Sequence, residues 1–242
     1  MNIVILLTAC VNPQGMSYTV LQNAKERLTQ YKESIDYYVS STTLKIVVVE
    51  NTGFNFKSLF NNSSLYDRVE FLTFQGNDFD KEKGKGYGEA KILQYAFDNS
   101  IFLRSADMVV KISGRYITTN FEALMTRVRK KGVVYANLSK IRHKKLCDSR
   151  FFVAPPEFYT KYFLPICWKI NDSKNVYFEH VLFEAILSWK NNNKSHSEFL
   201  FPILFSGKTG TTGRIIVNSN FSYPSAFIKY IIHKLGIYIN RK

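Results

Sequence analysis

The segment Lys83-Gly84-Lys85-Gly86-Tyr87-Gly88-Glu89 sets three glycines and two lysines directly ahead of a run with helical spacing. Glycine lets a backbone come close to a bulky anion, and lysines beside a helix N-terminus add positive potential, so the combination suits a phosphate. A solvated turn would share that composition. A second cluster, Lys111-Ile112-Ser113-Gly114-Arg115-Tyr116, ends an apolar run with a small residue, a glycine and an arginine. That order can present the planar fork of Arg115 to two pyrophosphate oxygens with little steric obstruction, a surface arginine being the plainer reading. The stretch 206–214, SGKTGTTGR, resembles a phosphate loop but lacks the full GxxxxGK[ST] order. A loop that closes over a ligand, carrying Lys208, Thr209 and Arg214, is the better expectation.

Strands and helices must bring these residues together. Residues 2–8 form a continuous apolar run and 44–50 (LKIVVVE) a second, as strands buried on both faces do. Between them, 24–39 places Leu28, Tyr31, Ile35, Tyr38 and Val39 at helical spacing and leaves Lys25, Glu26, Lys32 and Glu33 for solvent. Strand, helix, strand predicts a right-handed parallel unit. The alternation continues with strands over 69–74, 108–112, 133–138 and 151–154 and helices over 88–102, 121–130 and 178–189. This is an α/β chain with a mixed or parallel sheet covered by helices. Ligands of such sheets gather beyond the carboxyl ends of the strands, which is where Thr8, Glu50, Asn51, the 83–88 loop and Ser113 to Tyr116 fall.

The 242 residues suffice for a sizeable core, and 45% hydrophobic with 15% aromatic content excludes a disordered chain. A formal charge of +14 narrows the partners to nucleic acid, anionic lipid or phosphorylated substrates. Cys10, Cys147 and Cys167 have no CxxC spacing and make an odd count, so a reducing compartment is expected rather than a disulfide framework or a zinc site. The run at 3–7 is too short for a spanning helix and is expected to be a buried first strand, not a signal peptide. Over 225–242, Phe227, Ile231, Ile232 and Leu235 share an apolar face while Lys229, Lys234, Arg241 and Lys242 remain for lipid headgroups. That pattern fits an interfacial helix or a terminal helix docked on the body.

The order NIVILLTA, AKERLTQY, KIVVVENTGF, EFLTFQGND, KGKGYGEA, ADMVVKISGRY and DSRFFVAPPEFY, continued by NVYFEH and SGKTGTTGR, spans most of the chain. It resembles bacterial capsular and O-antigen glycosyltransferases with a GT-A-like fold. The resemblance implies a Rossmann-like, mixed and mostly parallel sheet flanked by helices, as a single domain over 1–224 with a C-terminal helical extension over 225–242. It also implies a nucleotide-sugar donor over the ends of the first strands, held by Thr8, Glu50, Asn51, Lys83, Lys85, Gly86, Lys111, Ser113 and Gly114. A glycan or lipid-linked acceptor would enter from the C-terminal half. Asp148 and Arg150 would shape a sugar site or form a local ion pair, and Lys208, Thr209 and Arg214 would lie in the closing loop. Late in such chains, near the start of a helix, an acidic residue acts as general base, a role that falls to Glu179 with His180 as the second candidate. Helix capping by Glu179 and core packing by His180 are the competing readings. The resemblance further implies a cytoplasmic enzyme, peripheral at the inner face of the cell membrane. The alternatives are a basic nucleic-acid-binding module, given 15 tyrosines and 20 phenylalanines, and another nucleotide-donor enzyme such as a sulfotransferase.

Metal-using sugar transferases carry an acidic DxD after the strand that here ends in Ser113-Gly114-Arg115; the chain's one DxD-like tripeptide is Asp78-Phe79-Asp80. No cofactor is therefore expected, the nucleotide sugar being a substrate, and a divalent metal is not favoured. Sugar transfer should persist in excess EDTA. Loss on chelation with recovery in manganese or magnesium would return Asp78 and Asp80 to the chemistry.

Overall fold

In the computed structural model, which describes residues 1–60, 63–139, 145–217 and 223–235, the first strand β1 (Ile3–Ala9) sits in the middle of the sheet. Its side chains alternate between two faces, as the strand pleat requires. Val4 and Leu6 enter one core, Ile5 and Leu7 the other. Helix α1 (Ala24–Ser41), capped by the Asn23 carboxamide, leads to β2 (Lys45–Glu50) and then β3 (Val69–Thr73). Helices α2 (Gly84–Asn99) and α3 (Ile101–Arg104) lead to β4 (Met108–Ser113), β5 (Ile117–Thr118) and α4 (Phe121–Met125). There follow β6 (Val133–Tyr135), β7 (Leu138–Ser139), β8 (Leu146–Cys147), β9 (Phe151–Ala154) and α5 (Pro156–Phe158). The chain continues through α6 (Phe178–Asn191), β10 (Ser195–Ser197), β11 (Phe205–Lys208), β12 (Ile215–Val217) and α7 (Tyr223–Leu235).

Among the described residues the main sheet has the order β10-β6-β9-β4-β1-β2-β3. The pairs among β3, β2, β1 and β4 are parallel, as is β10 with β6, and β9 runs antiparallel to both β4 and β6. The fold is thus α/β, mixed and mostly parallel. Helices α2 and α6 pack on one face through Ala90, Leu93, Val181 and Leu182. Helices α1 and α4 cover the other through Tyr31, Ile35, Phe121 and Leu124.

Several boundaries differ from the periodicity, each for a local reason. The helix expected over 88–102 begins four residues earlier, at Gly84, and breaks at Ser100, where the Glu70 carboxylate accepts from the Ser100 hydroxyl and the Ile101 and Phe102 amides. The helix over 121–130 stops at Met125, and the strand over 133–138 ends at Tyr135. A second sheet, β12-β11-β5, had no counterpart in the sequence reading because its short strands pair across distant loops. Helix α7 starts at Tyr223, slightly before the expected 225, and its Tyr230 hydroxyl donates to the Phe199 carbonyl at 2.5 Å, while Phe227, Ile228 and Ile231 remain exposed. Arg241 and Lys242 lie outside the described residues, as do the side chains of Lys229, Lys234 and Leu235. No helix among the described residues is long and apolar enough to cross a membrane.

Glu50 ties three loops together. Its buried carboxylate accepts from the amides of Val11 (2.9 Å), Thr52 (2.7 Å) and Phe54 (2.9 Å), from the Thr52 hydroxyl, and from Thr73 Oγ1 at 3.4 Å. Glu50→Gln keeps the shape but sets an amide nitrogen against these donors, so unfolding free energy should fall by about 1–3 kcal/mol. Urea unfolding measures this; an unchanged midpoint would mean the loops hold their positions without the charge.

Candidate functional site

A cavity of about 560 Å³ opens beyond the carboxyl ends of β1, β2 and β4, and residues 209–212 line it from the side of the second sheet. Its position follows from topology: β1 has β2 on one side and β4 on the other, so the chain order reverses across it and leaves a crevice. Of the residues expected at a site, Thr8, Asn51, Lys85, Gly86, Ser113, Gly114, Arg115, Arg150, Glu179 and Thr209 line this space. Glu50, Lys83, Lys111, Asp148, His180, Lys208 and Arg214 are not part of its wall.

The glycine-rich segment is the first two turns of α2 and not a loop. Gly84 has φ 79°, and a Cβ there would stand 2.0 Å from Asp172 Oδ2. A Cβ at Gly86 would come within 3.2 Å of Ile170 and Phe178, and one at Gly88 within 3.0 Å of Phe79. The glycines therefore serve close packing, and the Asp172 carboxylate packs against Gly84 at the helix start, where the Lys85 and Gly86 amides lower its pKa in place of the phosphate expected there. Burial pushes the Asp172 carboxyl up to about 6, against the opposing pull of the Lys85 ammonium and these two amides; Glu179 nearby adds to the rise. Lys83 lies over the Tyr87 ring at 4.4 Å.

Beneath the cavity, Lys111 is fully buried with its ammonium 2.5 Å from Glu89 Oε1. The same oxygen accepts from Thr8 Oγ1 at 2.8 Å and Ser113 Oγ at 2.9 Å. Burial by itself would raise the Glu89 carboxyl, but the Lys111 charge and these hydroxyls outweigh it and hold the group below the usual carboxylate range. Lys111 also donates to the Ser149 carbonyl at 2.5 Å, and Ser149 Oγ donates to Glu179 Oε1 at 2.7 Å. Lys111 is thus the neutralised floor of the site, one layer below the position expected of it. His180 is turned to its own helix start, where Nδ1 accepts from the Tyr177 amide at 3.1 Å and the ring stacks on Tyr177.

The wall carries cations. Arg150 is bidentate to Asp148 at 2.9 and 2.6 Å, which raises the arginine and lowers the carboxyl in spite of burial that would do the reverse to both. The local ion pair anticipated for 148–150 is therefore present. Arg115, Lys85 and Arg27 meet neutral groups instead. Arg115 donates to the Lys208 carbonyl at 2.8 Å and to Gln30, Lys85 to the Thr211 hydroxyl, and Arg27 to the Cys10 and Leu21 carbonyls and Tyr31 Oη. Lys208 pairs with Glu26 at 2.6 Å, and Thr209 holds the Arg214 amide and the Thr212 hydroxyl, shaping the loop from outside. Burial pushes the cavity-lining Cys10 thiol up to about 11, so it stays protonated. Among the described residues no cluster of three or more His, Cys, Asp or Glu side chains is grouped as metal ligands would be, and Asp80 Oδ1 is used on the Glu82 amide.

Sequence reasoning left out Glu89, Arg27, Asn77 and Asp172, all of which line the cavity. One signal existed: a lysine inside the apolar run MVVKIS must meet a counter-charge if that strand is buried. Nothing local marks Asp172, which reaches the start of α2 from nearly 90 residues away along the chain.

No family model matches the chain, and no curated protein does. Solved structures with a similar fold include the inositol-1-phosphate CTP transferase from T. maritima, at 12% identity and TM-score 0.48, covering 99% of this chain and 98% of that one. Another is the galactosyltransferase LgtC in complex with donor and acceptor sugar analogs, at 10% identity and TM-score 0.46, covering 81% and 72%. A cytidylyltransferase from Leptospira borgpetersenii matches at 10% identity and TM-score 0.44 over all of both chains.

Because Asp172 has a higher carboxyl pKa folded, about 6, than its ordinary 3.8, the folded state binds its proton more tightly than the unfolded chain does. Stability from this group is therefore full at low pH, falls as pH rises from about 4 to about 6, and stays reduced above. Asp172→Asn removes the titration while keeping an oxygen for the two amides. It should melt higher than the native protein at pH 8, with the gap closing toward pH 4; parallel melting curves across that range would refute the assignment.

Proposed function

We propose that the chain is a glycosyltransferase that moves a sugar from a nucleotide-sugar donor to a glycan or lipid-linked acceptor of a bacterial surface polysaccharide, capsule or O-antigen. The observation that carries this is the set Arg27, Lys85 and Arg115, three cavity-lining cations bonded to neutral groups, facing Glu179 across the same space. None of the three is within ion-pair distance of a carboxylate, although Asp172 offsets part of the Lys85 charge, and together they leave a positive potential for a diphosphate whose charge grows as it departs. Glu179, held by Ser149, is placed to take a proton from an acceptor hydroxyl. In the reaction the acceptor oxygen bonds to the anomeric carbon on the face opposite the leaving group, the carbon–phosphate oxygen bond breaks, and the electron pair goes to the nucleoside diphosphate. The acceptor proton passes to Glu179, and the anomeric configuration inverts. This route asks for no metal ion, the arginines and lysine supplying the counter-charge. Exposed Phe227, Ile228 and Ile231 on α7 support a peripheral association with the inner membrane leaflet, where a lipid-linked acceptor would be met.

The nucleic-acid reading loses its main support, since Phe151, Phe152, Phe158, Phe163, Tyr38 and Tyr159 are fully buried core residues and not a stacking platform. A sulfotransferase would use similar cations. Thermal-shift screening against nucleotide sugars and against a sulfated nucleotide donor separates the two, because a ligand selective for the folded state raises the melting temperature.

Glu179→Gln should leave folding and donor binding intact and lower turnover roughly 10²- to 10⁴-fold. Arg115→Ala should cost on the order of 10²-fold in the chemical step, with little recovery in Arg115→Lys if the contact is bidentate. Normal turnover in Glu179→Gln with a dead His180→Ala would move the base one residue along. Full activity in both would make this end of α6 a scaffold.

A further inference from the structure

Ser149 is 5% exposed and lines the cavity, and its main chain is fixed on both sides. Before it, the Asp148 amide donates to the Asn137 carbonyl at 3.4 Å; after it, the Arg150 carbonyl accepts from the Ser113 amide at 2.9 Å. Its own carbonyl takes a hydrogen from the buried Lys111 ammonium. An ammonium has three hydrogens, and Glu89 Oε1, the Ser149 carbonyl and Ser113 Oγ, at 2.5, 2.5 and 3.1 Å, account for those of Lys111. The same ammonium lies 5.3 Å from the ring centre of Phe178, the first residue of α6 and the neighbour of Glu179. One buried cation therefore fixes both the residue that offers a hydroxyl and the helix turn that carries the carboxylate. The hydroxyl and the carboxylate then meet: Ser149 Oγ donates to Glu179 Oε1 at 2.7 Å, a length typical of an O–H bond to an ionised acceptor. A serine hydroxyl has one hydrogen, and here it is spent on that oxygen. Glu179 itself is half-buried and lines the cavity.

We propose that Ser149 is a positioning residue for Glu179: its hydroxyl holds Oε1, fixes the side-chain rotamer and leaves Oε2 to take the acceptor proton. The assignment rests on the general-base reading of Glu179 and adds which oxygen reacts and what holds it. Oε1 shares its lone-pair density with the serine hydrogen, which stays on Oγ throughout, so Oε2 is the more basic of the two. A glutamate side chain is otherwise free to rotate, and in the first turn of a helix a carboxylate is also drawn to the amides of that turn. A base must stay within hydrogen-bond reach of the proton it removes, and a misplacement of about 1 Å can cost on the order of 10²-fold in rate. Ser149 acts through Glu179 and not on the substrate; what it contributes is the fraction of time the carboxylate spends aimed correctly.

Ser149→Ala tests this selectively, because Lys111 holds the main-chain carbonyl, which alanine keeps. Release of nucleoside diphosphate by the full chain is measured with UDP-glucose, UDP-galactose, UDP-N-acetylglucosamine, GDP-mannose and dTDP-rhamnose, water standing in for the acceptor. With the donor turned over fastest, Ser149→Ala should lower kcat about tenfold or more, with KM nearly unchanged and a cooperative melting curve retained. The same substitution in a Glu179→Gln background should cost little further, since it acts through a carboxylate that is no longer there. An equal loss in both backgrounds, or a rise in KM that accounts for the loss, would mean that Ser149 serves the packing of the floor or the donor itself, and would overturn the assignment. Normal kcat in Ser149→Ala beside an inactive Glu179→Gln would overturn it while leaving the base in place. Full turnover in Glu179→Gln would remove the base and its positioning residue together, and so would failure of the native chain to turn over any of the five donors.

Discussion

An ammonium group at the centre of a β-sheet must meet a carboxylate, and the buried pair of Lys111 and Glu89 is the contact on which the rest of the site hangs. Lys111 is in β4 and Glu89 in α2, while the hydroxyls on the same carboxylate oxygen come from Thr8 in β1 and Ser113 at the end of β4. Removing Glu89 would strand the fully buried Lys111 ammonium in a low-dielectric interior, a loss of roughly 3–5 kcal/mol. The two central strands and the helix above them are therefore locked in one relative position. Through the Ser149 carbonyl and hydroxyl the same lock extends to Glu179 on α6. A polar network of this kind specifies geometry more than it adds stability, which suits the floor of a reaction site.

Charge is distributed in two layers, of which that floor belongs to the lower. The lower layer is neutral, Glu89 against Lys111 and Arg150 against Asp148. The upper layer, facing the cavity, holds Arg27, Lys85 and Arg115 against carbonyls, hydroxyls and a carboxamide, so its positive potential is not spent internally. Because the low-dielectric walls focus such a field, an anionic ligand would be drawn to this space in preference to the many lysines on the exterior. The net charge of +14 is thus only loosely related to the site; what matters is which cavity-lining cations are not ion-paired to a carboxylate.

Asp172 occupies an uncommon place in this arrangement. It takes the two amides at the start of α2, a position that favours an anion, yet burial keeps its carboxyl easier to protonate than an ordinary aspartate. The carboxylate of Asp172 thus occupies the helix N-terminus from within the protein, and the glycines that looked like a phosphate cradle allow Asp172, Ile170, Phe178 and Phe79 to pack against the helix. A buried carboxyl that titrates near neutrality costs stability and is tolerated most readily at functional surfaces.

The hydrophobic runs of β1, β2 and β4 and the 3.6-residue spacing of α1 and α6 were legible in the sequence, since burial on one or both faces writes a period into the residues themselves. That Thr8, Asn51, Ser113 and Arg115 line the cavity was legible for the same reason: they lie at or just after strand ends, where an α/β sheet opens. Long-range partnership leaves no such period. That Lys111 meets Glu89, that Glu50 is spent on the amides of Val11, Thr52 and Phe54, and that Asp172 closes the start of α2 depends on which segments the tertiary fold brings within about 3 Å. The sequence by itself determined the layers of the fold and the edge at which the cavity opens, because those follow from local hydrophobic order. Only the tertiary structure decided which polar groups face that cavity and which are consumed by one another, because hydrogen bonds and ion pairs are settled by distance in space and not along the chain.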